Sequence, residues 1–329
     1  MSGPAVVITS INPPSDAVSH WASALPLVVV ADQKTPEHAY EGLPLTLMPF
    51  AGDHRLQSSP ANHYSRKNLG YLEAIARGHD LIVDTDDDTW PQLAADTFNL
   101  AAAERSLVRC ATSDFVNVFA LRLPGERIWP RGFPLDELDA VAEEVTHPEA
   151  ALVAGEVAIV QLLIDGDTDV DAIHRLVFGA REVRFTRVGR LQVLPAGSFC
   201  PFNTQLTVVA RAAFPLLYLP THVSVRFTDI LRGVVAKRAL DASGLRFAFG
   251  DPAGFQVRNP HSYFADFVAE VDVYLQVRTA WECLDGLAHA PLPALLRDAY
   301  QRLEAAGVVP GDELALVDEW LHALAALGA

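Results

Sequence analysis

The sequence is short of cysteine, short of basic residues and free of long hydrophobic runs. Its three cysteines, Cys110, Cys200 and Cys283, are widely spaced and form no CxxC pair. That pattern excludes a cysteine zinc site and a disulfide framework, and predicts free thiols in a reducing compartment. Lys and Arg number 25 against 41 Asp and Glu, a formal net charge of −16. A chain this acidic is a poor partner for nucleic acid or an anionic membrane. It can still take an anionic nucleotide where a cation and a few local basic groups offset the charge. No apolar stretch approaches the roughly 20 residues that span a bilayer. The N-terminus, Met1-Ser-Gly-Pro-Ala-Val-Val-Ile8, runs directly into a strand pattern with no basic leader. The expectation is a cytoplasmic protein without a membrane span. Half of the 329 residues are hydrophobic and only 20% are charged, so a large core can be buried and disorder is excluded.

What the sequence does contain is a series of continuous apolar runs that end in polar residues. Ala5–Ser10, Leu27–Asp32 and Leu81–Val83 read as buried parallel strands, with Leu45–Phe50 as another. Ser15–Ala24 and Asn62–Arg77 have helical spacing between them. Val157–Leu163, Phe199–Val209 and Phe214–Leu219 continue the core, and Thr228–Leu240 reads as a helix. Beyond residue 250 the pattern changes to amphipathic helices over Phe264–Leu287, Pro291–Ala306 and Glu313–Leu327. The fold expected is α/β, a Rossmann-type mostly parallel sheet with flanking helices, in a catalytic domain over residues 1–249. A helical C-terminal extension over 250–329 follows, placed to cover a cleft, form a homodimer contact or pack on the sheet domain. Ligands of such sheets sit at the carboxyl ends of the strands. Ser10, Asp32 and Asp84 all fall there.

The third of these ends runs into Asp84-Thr-Asp-Asp-Asp88, four carboxylates in five positions. They repel one another unless a cation sits among them. Hard cations such as Mn²⁺ or Mg²⁺ take carboxylate oxygens and keep positions open for phosphate oxygens. A DxD at a strand end is thus suited to holding a nucleotide-diphosphate sugar through a metal. Asp32 can accept hydrogen bonds from a base or ribose. Arg66-Lys-Asn68 opens the helix that leads into the acidic strand, where basic groups can meet phosphate. By contrast, Asp165-Gly-Asp-Thr-Asp169 lacks the glycine and terminal glutamate of a calcium loop and reads as a solvated turn.

Several stretches together resemble the STELLO-type glycosyltransferases. They are Val28-Val-Val-Ala-Asp-Gln-Lys-Thr-Pro36, Arg66-Lys-Asn-Leu-Gly-Tyr-Leu-Glu-Ala-Ile75 leading to Asp84-Thr-Asp-Asp87, and Trp129-Pro-Arg-Gly-Phe-Pro-Leu135. Phe202-Asn-Thr204, Leu219-Pro220, Asp229-Ile-Leu-Arg-Gly233 and His261-Ser-Tyr-Phe264 follow in the family's order. The likeness runs from about residue 5 to residue 290. It implies a GT-A-like fold and a nucleotide-sugar donor, UDP- or GDP-linked, with an acceptor that is a glycan or a small molecule. Asp88 stands where the plant pattern turns basic. A more distant likeness, through Asp86-Asp-Asp88, is to the UDP-arabinopyranose mutases. A nucleotide-sugar mutase and a non-catalytic scaffold are therefore the competing readings.

On this basis Asp86 is the first candidate metal ligand and Asp88 the second, with Asp84 on ribose or a metal-bound water. Ser10, Asp32 and Lys34 are expected to line the nucleoside pocket, and Lys67 and Asn68 to contact ribose or diphosphate. Arg131 is expected to point at the diphosphate or the acceptor. Asp229 is the candidate general base, by analogy with acceptor-side carboxylates of GT-A enzymes. Arg232, on the same helix face, is expected to stabilise the departing diphosphate, and Asn203 to bind sugar hydroxyls. His222 is read as structural.

Overall fold

The computed structural model describes residues 2–52, 55–258 and 262–328. Their frame is one 11-stranded sheet. The strands are β1 (Ser2–Ser10), β2 (Leu27–Ala31), β3 (Thr46–Met48), β4 (His79–Thr85), β5 (Thr89–Pro91), β6 (Arg105–Cys110), β7 (Ala142–Val145), β8 (Val157–Gly166), β9 (Leu191–Val193), β10 (Leu206–Ala210) and β11 (Arg246–Gln256). Their order is β3-β2-β1-β4-β10-β8-β11-β9-β6-β7, with β5 on β11.

Helices α1 (Asp16–Ala24) and α2 (Lys67–Ala76) cover opposite faces of the first strands. The alternation of β1 explains why. Ala5 and Val7 join the core that contains Leu69, Leu72 and Ile75 of α2. Val6 and Ile8 join the core that contains Val18 and Trp21 of α1. A strand buried on both faces needs apolar residues at every position, as the continuous runs foretold. Gly70 lets α2 lie flat on β1 and β2.

The parallel arrangement holds for β3, β2, β1 and β4. Beyond β4 the sheet is mixed. β10 runs antiparallel to β4 and β8, β11 is parallel to β8 and antiparallel to β9, and β6 is parallel to β9. A continuous apolar run looks the same in either direction, so Leu206–Ala210 carries no sign of its reversal. The boundary expected between residues 249 and 250 falls inside β11. Gly250-Asp-Pro252 resembles a turn but forms an irregularity in this strand, whose register shifts between Gly250 and Gly254.

Further along are the short helices α3 (Val118–Arg122), α4 (Ala150–Val153) and α5 (Ala172–Phe178), then the long α6 (Val225–Ser243). The C-terminal part is α7 (Tyr263–Ala269), α8 (Val271–Cys283), α9 (Leu292–Ala305) and α10 (Asp312–Ala326). The single helix expected over 264–287 breaks at Glu270. This buried residue turns its carboxylate away to bind the backbone N–H of Ala172 and the side chains of Arg226 and Tyr274. Helices α8, α9 and α10 share one core with the sheet. Trp281 stacks on Phe199, and Trp320 donates to the carbonyl of Pro215. His261 of the last family motif lies outside the described residues. Among those residues, no helix is long and apolar enough to cross a membrane.

Replacing Gly70 by Ala places a methyl group 2.6 Å from Val7 Cγ1 and 2.7 Å from Val30 Cγ2. Overpacking of about 1–3 kcal/mol then opposes the roughly 1 kcal/mol by which Ala outranks Gly in a helix. With two β-branched side chains in the way, the expected outcome is a net loss of stability, read as a lower urea midpoint at unchanged slope.

Candidate functional site

The acidic run does not lie in one environment. β4 continues through Thr85 and pairs with β10, Asp84 opposite Thr207 and Thr85 opposite Leu206. Asp84 is thus inside the sheet and fully buried. A carboxylate there requires compensation, and it has two cations. Lys67 Nζ is 2.6 Å from Oδ1 and Arg232 Nη1 is 2.5 Å from Oδ2. Lys67, also fully buried, donates to the Thr85 carbonyl as well, and Arg232 donates to the Asn203 carbonyl. Asp84, Lys67 and Arg232 therefore form the floor beneath the site and do not face a ligand, contrary to the roles expected for them.

The chain surfaces at Asp86. Its Oδ1 accepts from Tyr64 Oη at 2.6 Å and lies 3.4 Å from Lys67 Nζ, while Oδ2 takes no hydrogen bond from the described residues. About 31% of the Asp86 side chain is exposed. Burial of the rest, with the Asp88 charge, pushes its carboxyl up to about 6 despite Lys67. Asp88 accepts from Gln256 Nε2 at 2.9 Å and is likewise raised, by burial and by Asp87. Asp87 turns the other way, accepting from Ser10 Oγ at 2.5 Å and Asn12 Nδ2 at 3.2 Å. Ser10 thus holds the acidic loop. Among the described residues no three His, Cys, Asp or Glu are gathered to hold a metal by themselves. Asp86 and Asp88 offer two carboxylates with a free oxygen and a high proton affinity, the donor set of a hard cation whose other ligands come from phosphate or water.

Beside them, at the end of β2, Asp32 is buried and accepts from the N–H groups of Gln33 and Asn62. Its Oδ2 is 3.4 Å from Arg66 Nε. Arg66 is buried against the ring of Phe50, and its Nε and Nη2 lack a hydrogen-bond partner among the described residues. Lys34 is exposed in the loop that follows β2. Asn68 points elsewhere. Its amide makes a two-point bond with the backbone of Leu219, which ties α2 to a distant loop. His222 pairs with Glu313 at 2.7 Å.

A second network lies on the far side of Thr204. Arg131 donates to Asp169 through Nε, to Asp229 through Nη1 and Nη2 and to the carbonyl of Arg226, and its Nη2 also lies 2.8 Å from Asp169 Oδ2. Buried and enclosed by these groups, it is not placed to meet a diphosphate. Asp229 is correspondingly committed. Oδ1 takes Arg131 and the N–H of Ile230, and Oδ2 takes Arg131, with Thr204 Oγ1 3.4 Å away. The expected general base is thus a buried counter-ion. Asn203 gives its amide to Asp169 at 2.6 Å, so it too is internal. Arg258, just past β11, approaches Asp169 at 3.1 Å. Arg131 and Arg258 hold the Asp169 carboxyl well below the usual range against the effect of burial.

Sequence reasoning missed Tyr64, Asp169, Gln256 and Arg258 in this arrangement. Asp165–Asp169 is no solvated turn, since Asp165, Thr168 and Asp169 are buried. The available signal was its symmetry with Asp84–Asp88, both being acidic runs that end a continuous apolar strand.

No protein-family model matches the chain. It is similar to two curated proteins of Arabidopsis thaliana named "Probable glycosyltransferase STELLO1" and "Probable glycosyltransferase STELLO2". The identities are 27% and 26% over 237 residues, 68% of this chain. The resemblance read from the motifs is thereby borne out. The chain spans about 30% of the length of these relatives. Solved structures with a similar course include glucosyl-3-phosphoglycerate synthase from Mycobacterium tuberculosis, at 13% identity and a TM-score of 0.39 over 94% of this chain and 82% of that one. The same synthase in complex with Mg²⁺ and UDP gives 11% identity and a TM-score of 0.39 over 94% and 80%.

Arg131→Met leaves Asp169 and Asp229 short of their cation and is expected to cost about 3–5 kcal/mol at pH 7.5. In the wild type the Asp169 pair contributes stability above the unfolded carboxyl pKa, and that contribution is lost as pH falls below about 4. The variant has less of that contribution to lose, because Asp169 keeps only Arg258. Urea unfolding at pH 7.5 and at about pH 3 should show the gap between the two proteins narrowing at the lower pH.

Proposed function

We propose that this chain is a metal-assisted glycosyltransferase that uses a nucleotide-diphosphate sugar, UDP- or GDP-linked, with its donor site at the carboxyl ends of β1, β2 and β4. The observation that carries this reading is the division of the acidic run. Asp84 is neutralised from below, whereas Asp86 and Asp88 present partly exposed carboxylates of raised proton affinity next to the buried Asp32–Arg66 pair. The names of the sequence relatives support the same class of activity.

In this reading Asp86 and Asp88 hold Mg²⁺ or Mn²⁺, and such an ion supplies charge neutralisation for a leaving diphosphate. Asp32 Oδ2 accepts from the nucleoside. The unpartnered donors of Arg66 meet its carbonyl oxygens. Ser10 and Asn12 fix the loop between these two parts by holding Asp87, and Lys34 stands at the rim. Lys67 and Arg232 act through position. They pair with Asp84 and keep the end of β4 rigid, so that Asp86 emerges at a fixed place. The acceptor, a glycan or a small molecule, approaches from the side of Gln256 and Arg258. The reading places the protein in the cytoplasm, as its composition suggests.

The test is a thermal-shift screen of UDP, GDP and their sugar conjugates, with and without Mn²⁺, on the wild type and on Asp86→Ala. A nucleotide that binds only the folded state raises its melting temperature with ligand excess. The expected result is a shift for one nucleotide that requires Mn²⁺ and disappears in Asp86→Ala. A wild type that shifts with no nucleotide under either condition overturns the reading. Release of free nucleoside diphosphate on adding acceptor extracts then separates a transferase from a mutase, which releases none.

A further inference from the structure

We propose that Tyr64 is the positioning residue that selects which oxygen of Asp86 faces the cleft. The inference rests on the reading of Asp86 as a metal ligand and extends it to a residue that no sequence motif marked.

The argument is a count of protons. Tyr64 Oη has one hydrogen to give and two lone pairs to fill. Three groups surround it: Asp86 Oδ1 at 2.6 Å, Thr204 Oγ1 at 2.5 Å and Lys67 Nζ at 3.2 Å. Lys67 can only donate. Asp86, when ionised, can only accept. The tyrosine proton is therefore assigned to Asp86. Thr204, whose alternative acceptor Asp229 Oδ2 is 3.4 Å away, gives its hydrogen to Tyr64 at the much shorter distance. The hydroxyl is then saturated, with two donors in and one hydrogen out, and a donor so polarised binds a carboxylate strongly.

The consequence falls on Asp86. Oδ1 is committed to the protein, and Oδ2 takes no bond from the described residues. The carboxylate plane is thereby fixed with one oxygen outward before any ligand arrives. The ring of Tyr64 is itself held, with Lys67 Nζ 5.3 Å from its centroid. Tyr64 comes from the 3₁₀ turn Tyr64–Arg66 at the head of α2. The same turn carries Arg66 beside Asp32, so one turn of chain sets both the carboxylate and the edge of the nucleoside pocket.

Tyr64→Phe keeps the ring and removes only the hydroxyl. The experiment is a titration of Mn²⁺ into protein saturated with UDP or with GDP, reading free Mn²⁺ by electron paramagnetic resonance, together with thermal melting of the metal-free proteins. Residues that orient metal ligands typically account for about 10–100-fold in metal affinity. The expected result is a loss of at least about tenfold for Tyr64→Phe and a smaller loss for Thr204→Val, with metal-free melting temperatures close to the wild type. Thr204→Val keeps the test decisive if the first variant folds poorly. Equal Mn²⁺ affinity in wild type and Tyr64→Phe overturns the role of Tyr64 and leaves the donor-site reading intact. A loss of affinity that only follows a general loss of stability in both variants overturns it too. A wild type that binds no Mn²⁺ with either nucleotide overturns the donor-site reading itself, and the role of Tyr64 with it.

Discussion

The structure turns on a carboxylate placed where a carboxylate is expensive. Asp84 occupies an interior position of the sheet, with neighbours on both sides, and two cations reach its carboxylate from different helices. Lys67 comes from the head of α2 and Arg232 from the middle of α6. Neither helix can move without uncovering the charge. The attraction is large in a medium of low dielectric, and so is the penalty for breaking it. Such a pair contributes little net stability compared with apolar packing. What it does fix is geometry, because the two helices and the end of β4 share one allowed arrangement.

Around this floor the polar groups sort into two layers. The inner layer is paired within the protein. Arg131, Arg232, Asp169, Asp229 and Asn203 spend their hydrogen bonds on one another and on backbone groups, and all are buried. The outer layer is only partly so. Asp86 and Asp88 keep free oxygens, and Arg66 keeps free donors. In the proposed reading a ligand meets the outer layer, and the inner layer determines where the outer layer stands. Tyr64 and Thr204 join the two, since Thr204 is within reach of both Tyr64 and Asp229.

This layering also explains what the sequence could and could not disclose. The strand ends at Ser10, Asp32 and Asp84 were legible because continuous apolar runs end there, and the helix 62–77 was legible from its spacing. Asp86 and Asp88 stood out by charge density. The depth of each acidic residue did not. Nothing in Asp84-Thr-Asp-Asp-Asp88 says that the sheet extends one residue past the first aspartate, because β4 gains Thr85 from pairing with β10, which lies more than 100 residues later. The same holds for Asp229 and Arg131. Each looked available on its own, and each is consumed by the other. Long-range charge pairing converts the residues most conspicuous in sequence into scaffold, while the tyrosine that shapes the site carries no charge and drew no notice.

The C-terminal helices belong to the same argument. Glu313 of α10 is fully buried, and its carboxylate accepts from Tyr218 Oη, the N–H groups of Thr221 and His222, and His222 Nδ1. Four donors from one loop converge on a single residue of a helix remote in sequence. That loop in turn grips α2: Leu219 makes the two-point bond with Asn68, and Thr221 Oγ1 donates to Ser65 Oγ at 3.0 Å. Ser65 and Asn68 flank Lys67 and follow Tyr64. The amino end of α2 is thus held from below by Asp84 and from the side by a loop that α10 anchors. A helical segment merely appended to a sheet domain would leave this contact unmade. Here the last helix closes the arrangement that the buried aspartate begins, and the 3₁₀ turn carrying Tyr64 and Arg66 is fixed between them.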